Sequence, residues 1–203
     1  MQTISGDILM WSWFSQPHGY NFNGFLIADR SGDICIDPVE PSEEVLDELA
    51  QRGVSRILLT NRNHVRSANL IRERTGARTA IHPDDAAYAR GHGAELDDDL
   101  QAGDKIGPLV AVGVPGKSPG EVAFYWPERK LLIVGDAVVG ILPGRLSLLR
   151  EKVMKVMNDP ARLRESVRQL LELEFDTLLV GDGACVLGSA KERLAELVDT
   201  FPR

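Results

Sequence analysis

Apolar residues along this chain follow two rhythms. Ile8-Leu9-Met10-Trp11 and the run from Phe22 to Ala28 have strand character, separated by the loop Gln16-Pro17-His18-Gly19-Tyr20-Asn21. The turn cluster Asp29-Arg30-Ser31-Gly32-Asp33 predicts a hairpin into Ile34-Cys35-Ile36, which Asp37-Pro38 closes. Helical spacing then takes over. Ser42 is a suitable N-cap, Glu43 and Glu44 complement the helix dipole, Val45, Leu46 and Leu49 form an apolar stripe, and Gly53 stops the helix.

A strand at Arg56 to Thr60 leads through a polar loop into a helix from Ala68 to Thr75, and a strand follows at Arg78 to Ile81. His82-Pro83-Asp84-Asp85 starts another helix, with His82 as its cap, and Gly91-His92-Gly93 ends it with His92 in solvent. The acidic stretch Glu95 to Asp104 reads as exposed. Leu109 to Val114, Val122 to Trp126 and Lys130 to Val134 are short strands bounded by Gly and Pro. Asp159-Pro160 opens a helix through Leu163, Val167, Leu170 and Leu171. A strand at Thr177 to Val180 and a helix from Ser189 to Val198 finish the pattern. Leu146, Leu148, Leu149, Val153, Met154, Val156 and Met157 suggest one further helix, apolar on more than one face and compatible with a homodimer contact. Hairpins at both ends do not suit a simple doubly wound sheet. They suit two mixed sheets with helices outside, a layered α/β arrangement.

Composition narrows the function classes. A chain of 203 residues can bury one sizeable core and is expected to form a single domain over 1–203. A net charge of −7 with no basic stripe argues against nucleic acid as a partner. No apolar run reaches the length of a membrane span, and the first residues do not read as a signal peptide. Cys35 and Cys185 are therefore expected as buried thiols in a cytoplasmic protein.

Five stretches in order carry a family resemblance. Ile34 to Pro38 is a strand ending in an aspartate, and Thr60-Asn61-Arg62-Asn63-His64-Val65-Arg66 is a strand-end loop. Val114-Pro115-Gly116-Lys117-Ser118-Pro119-Gly120-Glu121-Val122, Leu132-Ile133-Val134-Gly135-Asp136-Ala137 and Leu179-Val180-Gly181-Asp182-Gly183-Ala184 complete the set. Together they resemble the metallo-β-lactamase superfamily. The resemblance implies a four-layer αββα sandwich and a pocket that in the family holds two zinc ions. In that family the strand-end loop reads Thr-His-x-His-x-Asp-His. Here Asn61, Asn63, Val65 and Arg66 stand at its ligand positions, Lys117 and Asp182 replace two further histidines, and Asp136 is retained.

Such a set is ill suited to zinc, which takes imidazole, thiolate or carboxylate ligands. Asparagine is a poor ligand, and Arg66 and Lys117 bring fixed positive charge. No cofactor is therefore expected: zinc belongs to the family, but its ligands are replaced. Counting Arg66 and Lys117 against Asp136 and Asp182 gives zero, so the replacements read as cations standing in for metals. If a metal persists, Asp136, Asp182 and His64 (or His18) are the candidates.

Each candidate also has a plain structural role. Asn61 and Asn63 can hydrogen-bond the loop, and His64 lies between ligand positions, where its side chain is expected to face away. Lys117 is expected to pair with a carboxylate rather than act as a nucleophile. Arg66 can pair with Asp136 or Asp182, or clamp a carboxylate or phosphate on a ligand. Trp11, Trp13, Phe14 and Tyr20 can rim a pocket, with alternation turning some of them inward. The leading reading is a non-catalytic homologue of zinc hydrolases, a pseudoenzyme whose pocket binds a small anionic molecule or serves only stability. The alternatives are a hydrolase with one metal or none, and an interaction protein with a relic pocket.

Overall fold

The computed structural model describes residues 1–149 and 159–202, and its contacts divide the chain into two units, Met1–Leu100 and Gln101–Arg203. In the first unit, strands β1 (Gln2–Ser5), β2 (Ile8–Ser15), β3 (Tyr20–Ile27), β4 (Asp33–Ile36), β5 (Val54–Leu58), β6 (Arg78–Ile81) and β7 (Asp98–Asp99) form a seven-stranded sheet in that order. Strands β1 to β4 pair antiparallel. Strands β4 to β7 pair parallel, which requires crossovers. Helices α1 (Glu43–Arg52), α2 (Ala68–Thr75) and α3 (Pro83–Gly91) supply them.

The caps explain where these helices begin and end. Ser42 Oγ accepts from Val45 N at 3.4 Å, and Gly53 closes α1 in the left-handed conformation. His82 Nδ1 accepts from Asp84 N at 3.2 Å, with Pro83 in the first turn of α3. Leu46 and Leu49 of α1 and Ile71 of α2 pack on Leu26, Cys35 and Ile57. Phe25, Ile27, Ile34 and Ile36, from the same central strands, are buried as well, so the centre of the sheet is covered on both faces.

The second unit holds β8 (Lys105–Ile106), β9 (Leu109–Gly113), β10 (Val122–Trp126), β11 (Leu131–Val134), β12 (Val139–Leu142), β13 (Arg145–Ser147), β14 (Thr177–Val180) and β15 (Val186–Leu187). Six of them make a sheet in the order β15-β14-β11-β10-β9-β8, while β12 and β13 form a separate hairpin. Only the β11–β14 pairing in this sheet is parallel. Helix α4 (Pro160–Gln169) is capped by Asp159, whose Oδ1 accepts from Ala161 N and Arg162 N at 3.0 and 2.9 Å. Leu163 and Val167 of α4, with Ala190 and Leu194 of α5 (Ala190–Val198), pack on Leu132, Val134, Leu178 and Val180.

Several expectations need correction. The edge strand β1 has only one strongly apolar residue, so pairing with β2 rather than its own pattern creates it. The acidic stretch is not simply exposed. Leu100 is buried, and Asp98–Asp99 pairs with β6. Asp97 accepts from Arg72 Nε and Nη2 at 3.0 and 2.9 Å, and this guanidinium contact, with help from Thr79 N, pulls its carboxyl down to about 2. Leu146 lies on strand β13 and Leu148 and Leu149 in the irregular chain just after it, not on a helix, while Val153, Met154, Val156 and Met157 lie outside the described residues. Among the described residues, no helix is long and apolar enough to cross a membrane.

Candidate functional site

In the first unit, the chain leaves two neighbouring parallel strands, β4 and β5, at the same edge of the sheet, where α/β proteins place chemistry. Asp37, with φ 47°, donates its backbone N–H to Leu58 O at 3.1 Å. Its carboxylate accepts three hydrogen bonds. Thr60 N reaches Oδ1 at 2.8 Å, while Thr60 Oγ1 and His64 Nδ1 reach Oδ2 at 2.6 and 2.8 Å. Asp37, Thr60, Asn61 and His64 are all buried.

The far side of His64 fixes its tautomer. Arg66 Nη2 lies 3.1 Å from His64 Nε2, and a guanidinium can only donate, so Nε2 accepts and Nδ1 carries the hydrogen given to Asp37. The Arg66 guanidinium also lies 4.3 Å from the centre of the Phe22 ring, a cation–π contact. His64 therefore does not turn away from the loop into solvent. It turns inward, because Asp37 offers the buried imidazole an acceptor.

Asn61 shapes the loop. Its Oδ1 accepts from Asn63 N at 2.9 Å and its carbonyl from His64 N at 3.1 Å, while the Asn63 side chain is exposed. His18 is exposed, with Nδ1 2.7 Å from Ser15 Oγ and its ring beside Tyr20 and Phe22. Of the aromatic residues, Trp11 is core, donating Nε1–H to Val39 O at 3.0 Å, whereas Trp13 and Phe14 are 38% and 50% exposed. A groove of about 230 Å³ runs between Trp13, Phe22, Val39, Glu40, Arg66 and Ser67.

In the second unit a tight loop positions Lys117. Gly116 has φ 146°, and a Cβ there would lie 2.3 Å from Leu163 N, so only glycine lets the loop press on the start of α4. Gly116 O accepts from Asp159 N at 2.7 Å, and Ser166 Oγ donates to Pro115 O at 2.8 Å. Lys117 is buried, and its Nζ forms an ion pair with Oδ2 of buried Asp136, just beyond β11. Glu121 is buried too, with Oε1 accepting from Ala137 N at 2.9 Å.

Asp182 is buried in the turn after β14. Its carbonyl accepts from Gly140 N and the Gly140 carbonyl from Ala184 N, both at 2.9 Å. The chains cross so closely that a Cβ on Gly140 would meet Ala184 O at 2.0 Å. Cys185, expected as a buried thiol, is only half-buried beside this turn, with its Sγ at 3.5 Å from Val180 N, and desolvation pushes its thiol up to about 11. Burial also pushes Cys35 well above the usual thiol range, with Asp37 adding to the effect. Neither cysteine is in a disulfide.

The charge count made from Arg66, Lys117, Asp136 and Asp182 is incomplete. Asp37 and Glu121 are also buried carboxylates in these loops, so the sum over the six is negative. Asp37 marks the end of an apolar strand and could have been added to the candidates. Glu121 carries no such signal, and only its burial and its bond to Ala137 reveal it.

The metallo-β-lactamase superfamily model matches residues 1–201. A hydroxyacylglutathione hydrolase from Cereibacter sphaeroides (strain ATCC 17025) is 30% identical over 168 residues, covering 76% of this chain and 59% of the relative. A protein of the same name from Rhizobium meliloti is 29% identical, covering 87% of this chain and 73% of that one. The chain spans only about half to three-fifths of the length of the three relatives from Cereibacter sphaeroides. Among solved structures, the metallo-β-lactamase from Pontibacter korlensis superposes with a TM-score of 0.79 at 17% identity, covering 98% of both chains. TTHA1623, solved in a di-iron-bound form, gives 0.67 at 24% identity, covering 91% of this chain and 96% of that one. Two mixed sheets flanked by helices, the ordered loop landmarks and a match along nearly the whole length agree, and this chain belongs to the metallo-β-lactamase superfamily.

Proposed function

We propose that this protein is a metal-independent, non-hydrolytic member of its superfamily that binds a small anionic molecule, as one domain over 1–203 in the cytoplasm. The observation that carries the reading is the buried ion pair between Lys117 Nζ and Asp136 Oδ2. Asp136 is the one superfamily metal ligand the chain keeps, and a lysine occupies the oxygen a metal would need. At ~4 Å and an effective dielectric near 20, an ammonium and a dication repel by about 8 kcal/mol. In the first unit, the Nε2 lone pair of His64 is directed at the Arg66 guanidinium. With asparagine, arginine and lysine at the positions of family ligands, the residues present do not fit a two-metal centre. An anionic ligand suits Arg66, which borders a groove that Trp13, Phe22 and Val39 line together with Glu40 and Ser67.

Metal analysis of protein purified without chelator, beside melting curves with added zinc, tests this. The expected result is well under one metal ion per chain and no zinc-dependent rise in Tm. One or more tightly bound metals per chain, or a clear rise in Tm with zinc, overturn the proposal. The names of the relatives favour a second reading, a hydrolase that still cleaves a thioester. Turnover of a hydroxyacylglutathione that zinc raises and a chelator abolishes would carry that reading instead.

A further inference from the structure

Outside these loops, a groove of about 300 Å³ lies between the β12–β13 hairpin and helix α5, at the lower end of the size range of small-ligand clefts. Arg145 on the hairpin and Arg193 on α5 border it, and Leu146 and Leu197 give it apolar walls. The two arginines are not equivalent. Arg193 Nη1 donates to Glu196 Oε1 at 2.7 Å, which neutralises much of its charge. The exposed Arg145 side chain has no hydrogen bond or ion pair among the described residues. Two guanidinium groups and one carboxylate leave the groove one net positive charge.

The other polar groups have fixed roles. Ser147 Oγ donates to Leu148 O and Thr200 Oγ1 to Leu197 O, so both hydroxyl hydrogens are already used. Donors for a ligand are therefore the guanidinium groups. The last turn of α5, around Leu197, carries the negative end of the helix dipole and disfavours an anion there. An anionic head belongs at the hairpin side, and an apolar tail at the α5 side.

We propose that this groove binds a short-chain carboxylate, its head in a charge-assisted pair with Arg145 and its tail between Leu146 and Leu197. The Arg145 guanidinium, without a partner among the described residues, matches a carboxylate bidentately, and a groove with one net positive charge suits a monoanion better than a phosphate dianion. The inference is independent of the Lys117–Asp136 pair.

Titration calorimetry with sodium hexanoate, hexanol and inorganic phosphate on the intact chain tests it. Hexanoate should bind one to one at roughly millimolar affinity. Arg145→Gln should weaken it about tenfold or more, and Arg193→Gln less. Hexanol and phosphate should bind more weakly than hexanoate. Because Arg145 is exposed, the urea midpoint of Arg145→Gln should match that of the parent, which separates lost binding from lost folding. No saturable hexanoate binding, unchanged affinity in Arg145→Gln, or phosphate binding as tightly as hexanoate would each overturn the proposal.

Discussion

Asp37 and Asp136 are both buried carboxylates just beyond a strand end, one in each unit, and they are stabilised in different ways. Asp37 accepts three hydrogen bonds from two residues, Thr60 and His64, neither carrying a fixed charge. Asp136 is paired directly with the Lys117 ammonium. A buried anion can be held by oriented dipoles or by a countercharge, and the two solutions fail differently. Loss of one dipole weakens a network that keeps other members. Loss of the countercharge removes a full unit of opposite charge from beside a buried anion.

The largest effect expected from this contrast is at Lys117. Replacing it with Met should lower stability by about 3–5 kcal/mol, as for other buried pairs that lose one partner. Adding Asp136→Leu should recover most of that loss, because the carboxylate that Lys117 neutralised is then gone as well. Urea unfolding of the parent, the single and the double variant measures both. A single variant within about 1 kcal/mol of the parent would mean that the pair does not stabilise this loop.

Asp37→Asn should be milder, at about 2 kcal/mol. An amide can accept at its oxygen, but its NH₂ opposes the Thr60 and His64 donors. The backbone is not the source of the loss, because asparagine tolerates the positive φ of this position. The same variant should alter the His64 tautomer, and nitrogen chemical shifts of the imidazole would show whether the hydrogen leaves Nδ1.

The smallest effect is expected in a third arrangement, the partly exposed pair of Asp97 and Arg72. The Asp97 carboxyl is held down to about 2 from its ordinary 3.8, first by the Arg72 guanidinium and then by Thr79 N. A carboxyl with a depressed folded-state pKa adds stability above its unfolded value, and that stability is lost as pH falls through the folded one. The melting temperatures of the parent and Asp97→Asn should therefore differ at neutral pH and converge between about pH 4 and pH 2. A gap that persists at pH 2 would assign the effect to the amide itself rather than to charge.

Most regular elements were legible because period and caps agree. Ser42 and Gly53 bound α1, His82-Pro83 opens α3 and Asp159-Pro160 opens α4, each by a local hydrogen bond that nearby residues supply. Strands β1, β7, β8, β12, β13 and β15 escaped for the opposite reason. They are two to four residues long, and pairing to neighbours defines them rather than any apolar alternation. The site divides along the same line. Lys117, Asp136, Asp182 and the altered Thr60–Arg66 loop stand out by their place in ordered motifs. Glu121 and the inward turn of His64 do not, because no spacing encodes which buried acceptor a side chain will meet.

The chain by itself determined its superfamily and its principal strands and helices, and it places Asn61, Asn63, Val65, Arg66, Lys117 and Asp182 in the loops that carry the family resemblance. Tertiary structure decided the rest: Lys117 closes on Asp136, Arg66 lies over Phe22 and meets the lone pair of His64, and Arg145 stays exposed beside a groove. The division has one physical cause. Helix caps and turns are settled by groups a few residues apart, whereas the partner of a buried charge is chosen by whatever the folded chain brings within hydrogen-bonding distance.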